Sequence, residues 1–323
     1  MEQKLNNTLP YIHISKATDE IVTYIDKRRK GTSRSLRTRW SKFNKQCMGG
    51  IEPNTIYVIG GISGSGKSSF VNSLETDLFD NNPHQDFVIL SFSFEMLSSR
   101  QVGRKISYRL SKTTSELYSA SNKDELYKVS DDEFNRINKV AEEIKKYPIY
   151  YVEFPGTVEE IKSTIINFAV LPEIKGKWII IILDHTLLTR NTNTENERIT
   201  LVNLQKMFME IKKYGRNTII EITQLNREIE DKDRLINPNL HYPMRRDIQS
   251  SDAIFQSADY VIVLHRPEIL GLNAYGINNL PVKNMIYMHF LKVREGEPKI
   301  LSFENNLKYN RIDEFNSQLL TNE

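Results

Sequence analysis

From about residue 37 onward the apolar positions fall into two alternating rhythms. Runs of consecutive apolar, β-rich residues occur at 55–60, 87–92, 148–153, 178–183, 217–223 and 259–264. Between most of them lie segments at 67–79, 98–110, 132–146, 158–170 and 198–214 whose apolar residues recur at helical spacing. Runs such as Trp178-Ile179-Ile180-Ile181-Ile182-Leu183 have no polar face, which predicts strands covered on both sides. Strand and helix in alternation predict an α/β fold with a mostly parallel, doubly wound sheet. Residues 285–293 and 298–304 read instead as an antiparallel hairpin joined by Glu295-Gly296-Glu297. Upstream, residues 1–16 look like a loose arm. Thr18–Lys30 predicts a short amphipathic helix, capped by Thr18, with Ile21, Val22 and Ile25 on one face and Gly31 as its stop. Such a helix either folds back or docks on a neighbouring copy. The expected organisation is therefore an arm and linker helix over 1–36 and one large domain over 37–323. The polar segment Glu228–Ser250, with Pro238 and Pro243, is longer than an ordinary connection, and long loops of this kind are usually functional or disordered.

Composition narrows the function classes. The 323 residues suffice for a full core, and 39% hydrophobic with 26% charged content is ordinary for a soluble protein. Cys47 is the only cysteine, which excludes a disulfide framework and cysteine metal sites. The six histidines are scattered without a ligand-like pair. No stretch reaches 18 apolar residues and the N-terminus has no signal-peptide core, so no membrane association and a cytoplasmic location are expected. A net charge of +3 neither demands nor excludes nucleic acid.

The chemistry starts at Gly61-Ile62-Ser63-Gly64-Ser65-Gly66-Lys67-Ser68, which fits the phosphate-binding pattern G-x-x-x-x-G-K-[ST] between a predicted strand and a predicted helix. Gly61, Gly64 and Gly66 let the backbone wrap and turn its N–H groups, including those of Ser63, Ser65 and Ser69, onto phosphate oxygens. The helix beginning near Lys67 adds its positive end. Lys67 is expected to reach the β- and γ-phosphates of ATP, and the Ser68 hydroxyl to hold Mg²⁺.

Four further signals follow. Asp184 ends the most apolar strand, where a carboxylate suits the metal or its water; an Asp that merely starts a turn is the plainer alternative. Glu95 lies just past the strand at 87–92, placed to polarise a water attacking the γ-phosphate, or simply to start a helix. Gln224 ends the strand at 217–223, as a γ-phosphate sensor or a satisfied amide. Lys292 and Arg294, two residues apart at the hairpin tip, are either solvated cations or fingers acting on phosphate bound by another subunit.

Taken together, these motifs resemble the ATPase domain of DnaB-type replicative helicases, RecA-like hexameric ring motors, over roughly residues 37–315. The matching segments are GISGSGKS, Ser93-Phe94-Glu95-Met96 with SSRQVGRKIS, ILDH around Asp184, TQLNR from Thr223 to Arg227, DIQSSDAIFQSADYVIVLHR from Asp247, and KVREG from Lys292. The resemblance implies an ATP-hydrolysing helicase translocating 5′ to 3′ on single-stranded DNA. It implies Glu95 as hydrolytic carboxylate, Asp184 on the metal side, Gln224 as sensor, and Lys292 and Arg294 acting in trans. It also implies docking of the Thr18–Lys30 helix on a neighbour in a hexameric ring, with a primase or helicase loader as further partner. Two departures stand out. The family's N-terminal helical domain has no counterpart here, as in a reduced phage or plasmid version, which puts primase coupling in question. The DNA-facing D-L-R-E-S-G-S-I reads Asp247-Ile248-Gln249-Ser250-Ser251-Asp252-Ala253-Ile254, so contact through backbone N–H groups, Arg245 and Arg246 is expected, the two arginines being otherwise solvated loop charges, with Gln249, Ser250 and Asp252 at the changed positions. Alternative readings are a RecA/KaiC-like ATPase without unwinding and a small-molecule kinase; no Arg-rich kinase lid is evident.

Overall fold

The computed structural model describes residues 9–118, 129–192, 196–249 and 251–315. The chain divides into two compact units, Met1–Ser35 and Leu36–Glu323. The first holds α1 (Ile14–Arg29). It begins a turn earlier than the periodicity predicts because His13, not Thr18, caps it: the His13 ring accepts from Ser15 N, while the Thr18 hydroxyl donates to Ile14 O at 2.9 Å.

The second unit is built on a nine-stranded sheet. Its strands are β1 (Ile56–Gly61), β2 (Phe87–Ser93), β3 (Ile149–Val152), β4 (Trp178–Asp184), β5 (Asn217–Gln224), β6 (Tyr260–His265), β7 (Met285–Val293), β8 (Ile300–Asn306) and β9 (Arg311–Glu314). They lie in the order β3-β2-β4-β5-β1-β6-β7-β8-β9. The first six are parallel and the last three continue antiparallel from β6. The helices are α2 (Ser41–Gln46), α3 (Lys67–Asn81), α4 (Ser98–Leu110), α5 (Thr114–Tyr118), α6 (Asp131–Ile144), α7 (Val158–Ala169), α8 (Glu197–Ile211), α9 (Lys232–Ile236) and α10 (Ser251–Ser257). The doubly covered sheet follows from the unbroken apolar strands. Trp178, Ile180 and Ile182 enter the core that holds Phe43, Phe70 and Leu74; Ile179, Ile181 and Leu183 enter the opposite one with Ile161, Leu204 and Phe208. Helix starts are set locally: Ser130 with Glu133 and Thr157 with Glu160 form capping boxes for α6 and α7.

Two readings need adjustment. The hairpin's second strand starts at Ile300 rather than 298, and a further strand, β9, pairs with it. The segment 228–249 is not open chain. Short helical turns break it up, and it closes on a buried ion pair between Arg234 and Asp247, at 2.6 Å and 3.0 Å. Arg234 also donates to Leu240 O and Tyr242 O, and Asp247 accepts from Met244 N.

Candidate nucleotide site

Parallel pairing brings the sequence-distant polar residues to one edge. Gly61, the last residue of β1, lies opposite Gln224, the last of β5; Asp184, the last of β4, lies opposite Ser93, the last of β2. Glu95 follows two residues on, in a turn pinned by Phe94 N donating to Asp184 O (2.9 Å) and Ser93 Oγ to Met96 O (2.7 Å). These carboxyl ends open on a cleft of about 710 Å³ lined by Ser63, Gly64, Gly66, Lys67, Ser68, Ser69, Glu95, Asp184 and Gln224. Ser65 is fully buried beneath the loop.

The glycines are required by the turn itself. Gly66 caps α3 at φ +104°, and Gly64 has φ +76°, both in the region L side chains avoid. Gly61 has ordinary φ, but a Cβ on it would sit 2.3 Å from Ser65 Oγ and 2.7 Å from Leu264 O.

Lys67 satisfies all three of its donors, on Gly61 O (2.7 Å), Ile62 O (2.9 Å) and Gln224 Oε1 (3.0 Å). Burial draws its ammonium down to about 8, while Asp184 and Glu95 support the charge. Asp184 is pushed up to about 6, first by burial and then by Glu95, with Lys67 and Arg104 opposing. Two carboxylates thus share a confined space with one lysine and one half-buried arginine. Ser68 and Asp184 offer oxygen donors, and among the described residues no cluster of three His, Cys, Asp or Glu side chains could hold a metal alone. A hard ion that keeps waters and shares its shell with phosphate fits such a sparse donor set, which is the habit of Mg²⁺.

Six lining residues escaped the sequence reading as site residues: Arg104, His185, Leu187, Leu188, Leu307 and Asn310. Arg104 lies in α4, within the SSRQVGRKIS segment, and burial lowers its pKa while Asp184 and Glu95 support the charge. His185 directly follows Asp184, and burial lowers it too. Leu307 and Asn310 come from the turn between β8 and β9, which no local pattern ties to the loop.

Lys292 and Arg294 are not in this cleft. β7 runs antiparallel to β6, with Val293 opposite Tyr260, so its end lies beside the start of β6. Six residues of β6, at about 3.3 Å each, put them roughly 20 Å from the strand ends that carry the loop. There Lys292 donates to Phe255 O, and Arg294 Nε lies 2.6 Å from Asp259 Oδ1.

The DNA candidates are held within the domain. Arg245 pairs with Asp252 (2.7 Å) and lies over the Phe255 ring, Arg246 is 3.8 Å from Glu228, and Gln249 donates to Glu197 (2.9 Å). Both arginines are well exposed. Ser250 lies outside the described residues. This segment is tied to the cleft: Gln249 N donates to Gln224 O (3.4 Å) and Asn226 N to Asp247 O (2.7 Å).

A mostly parallel, doubly wound sheet with its glycine-rich loop after β1 and polar residues at the ends of β2, β4 and β5 is the class of α/β fold that takes ligands in the crevice at the strands' carboxyl ends. Residues 35–314 match the DnaB-like helicase C-terminal domain, and the chain belongs to that family. It is similar to the replicative DNA helicase DnaB of Mycoplasma genitalium (25% identity over 68% of this chain and 44% of the relative) and of Mycoplasma pneumoniae (23% over 95% and 63%). The chain spans between about a quarter and two-thirds of the length of the curated relatives it matches. Among solved structures it superposes on an ATPase domain with TM-score 0.74, at 18% identity and with coverage of 92% of this chain and 98% of that one. A DnaB-like replicative helicase studied with primase gives TM-score 0.70 at 18% identity, over 96% and 68%. Among the described residues no helix is long and apolar enough to cross a membrane.

Proposed function

We propose that the chain is the motor of a replicative DNA helicase, a ring of copies that hydrolyses Mg·ATP at its subunit interfaces to move along single-stranded DNA. The observation that supports this reading is the separation of two groups of polar residues. Lys67, Glu95, Asp184 and Gln224 converge on a cleft, while Lys292 and Arg294 lie at the far end of the same sheet, beyond reach of it. A second copy, set head to tail, brings the cations of one to the cleft of the next, and repetition of that contact closes a ring. A hexamer, and docking of α1 on a neighbour, are the family's way of doing this.

At the cleft, loop N–H groups and Lys67 bind the phosphates, with Lys67 exchanging its two carbonyls and the Gln224 amide for phosphate oxygens. Ser68 and Asp184 would hold Mg²⁺, which when bound would supply positive charge against the phosphate oxygens. Glu95 orients the attacking water and accepts its proton as the bond to ADP breaks. Arg294 and Lys292 of the neighbour stabilise charge on the transferring phosphoryl group.

Gln224 is the proposed coupling element. Its side chain reads whether Lys67 is engaged by phosphate, and its carbonyl is bonded to the segment bearing Arg245, Arg246 and Gln249. Movement of that segment carries the DNA backbone by mainly electrostatic contact, with Ser250 and Asp252 in the same stretch. Translocation from 5′ to 3′, and a primase or loader as partner, follow the family. The test is ATP turnover with and without single-stranded DNA, together with unwinding of a forked duplex. Stimulation and unwinding support the motor; DNA-stimulated turnover without unwinding identifies a RecA/KaiC-like ATPase, and turnover that needs a small acceptor identifies a kinase.

A further inference from the structure

We infer that Asp259 is a positioning residue for Arg294, gripping its guanidinium by one edge so that the other edge is presented to nucleotide on the adjacent copy. The inference rests on the reading of Arg294 as a trans-acting finger. Arg294 follows the last residue of β7 and its side chain is 49% exposed, a place where a long, rotamer-rich chain would otherwise wander. Two contacts to one residue prevent this: Arg294 N donates to Asp259 O at 2.9 Å, and Nε lies 2.6 Å from Oδ1.

Asp259 is itself fixed. Its other oxygen, Oδ2, accepts from Ile56 N at the start of β1 and from Lys212 Nζ at the end of α8, each at 2.8 Å. The carboxylate therefore divides its work, one oxygen anchored to the sheet and one to the finger. The closest approach of the pair is at Nε, and among the described residues no hydrogen bond from the terminal Nη1 or Nη2 is found. Those two nitrogens form the fork that matches phosphate oxygens. A bidentate grip through the terminal nitrogens would have consumed it. Nor does Asp259 alone balance the cations beside it, which include Lys212, Lys292 and Arg294.

The experiment is steady-state ATP turnover by the full chain with single-stranded DNA present, for Asp259→Asn, Arg294→Ala and the double variant, with melting temperatures alongside. Asn can still accept from Ile56 N but gives Arg294 no charge to hold. The expected result is a kcat about 10- to 100-fold lower for Asp259→Asn with KM for ATP almost unmoved, and a double variant no slower than Arg294→Ala alone. An equal loss from Asp259→Asn with and without Arg294 assigns Asp259 a purely structural role and overturns the inference. A rise in kcat overturns it differently, making Asp259 a restraint that the finger must escape. Normal turnover by Arg294→Ala removes the finger reading itself. Should Asp259→Asn melt well below the parent, Arg294→Lys carries the test. A lysine held by Asp259 keeps no free fork, so its kcat should match Arg294→Ala, and near-parental kcat overturns the inference.

Discussion

Asp247→Ala tests how the segment between β5 and α10 is held. The Asp247 carboxylate is fully buried and accepts three hydrogen bonds, from Nη1 and Nη2 of Arg234 and from Met244 N. Arg234 is only 5% exposed, so truncating its partner strands a guanidinium in the interior with just the Leu240 and Tyr242 carbonyls. Breaking a buried pair from one side costs about 3–5 kcal/mol. If the segment unfolds with the domain, that is a fall of about 2–4 °C in Tm per kcal/mol. If it opens alone, global melting understates the loss, and hydrogen exchange over residues 226–249 reads it directly. Replacing both partners by leucine removes the stranded charge and is expected to recover most of the stability, because the single loss comes mainly from the unpaired ion rather than from the pair's net worth. DNA affinity should fall with Asp247→Ala while nucleotide affinity persists, since the cleft does not use this pair. A single variant that costs under about 1 kcal/mol and leaves exchange over 226–249 unchanged would refute the reasoning.

Other outcomes follow from the same geometry. Asp184 holds its proton up to about 6, above the ordinary 3.8, so in that interval the folded state binds the extra proton and this group's contribution to stability declines as pH rises. Mg·ATP selects the ionised Asp184 and the protonated Lys67, which is held at about 8, so affinity for a non-hydrolysable analogue should weaken below about pH 6 and above about pH 8. Titration calorimetry across pH 5–9 checks this, and a flat profile contradicts it. Glu221, fully buried, is raised to about 8 by burial despite a 2.5 Å bond from Gln205. Its proton stabilises the fold less as pH climbs towards 8, and Glu221→Gln should flatten the dependence of Tm on pH between about 5 and 8. Gly61→Ala places a methyl against Ser65 Oγ and the Leu264 carbonyl; a destabilisation of about 1–3 kcal/mol, with loss of nucleotide binding, is expected from denaturant melts and binding assays.

Much of this architecture was legible from residues alone because it depends on short-range chemistry. Unbroken apolar runs such as 178–183 have only one comfortable setting, a strand covered on both faces, and the six parallel strands fall within a residue or two of their apolar runs. The convergence of Lys67, Glu95, Asp184 and Gln224 was foreseeable because parallel strands put their carboxyl ends on one edge. What escaped depends on contacts between distant segments. Nothing near Leu307 or Asn310 signals a turn folded over the phosphate loop. The polarity and length of Glu228–Ser250 read as a functional or disordered loop, yet Arg234 and Asp247, 13 residues apart, bury each other and order its described part. The cap of α1 was misplaced because a histidine ring took the role expected of the threonine hydroxyl.

The central claim is that each nucleotide site is shared between two copies. It is tested most directly by mixing two variants of the full chain and measuring ATP turnover: Lys67→Ala, which keeps Arg294 but cannot grip phosphate, and Arg294→Ala, which keeps the cleft but lacks the finger. Each alone should turn over about a thousandfold more slowly than the parent, and the mixture should recover activity, greatest near equal proportions, as one variant lends its arginine to the other's cleft. Parental turnover by Arg294→Ala alone, in a protein that stays monomeric with nucleotide and DNA present, would contradict it.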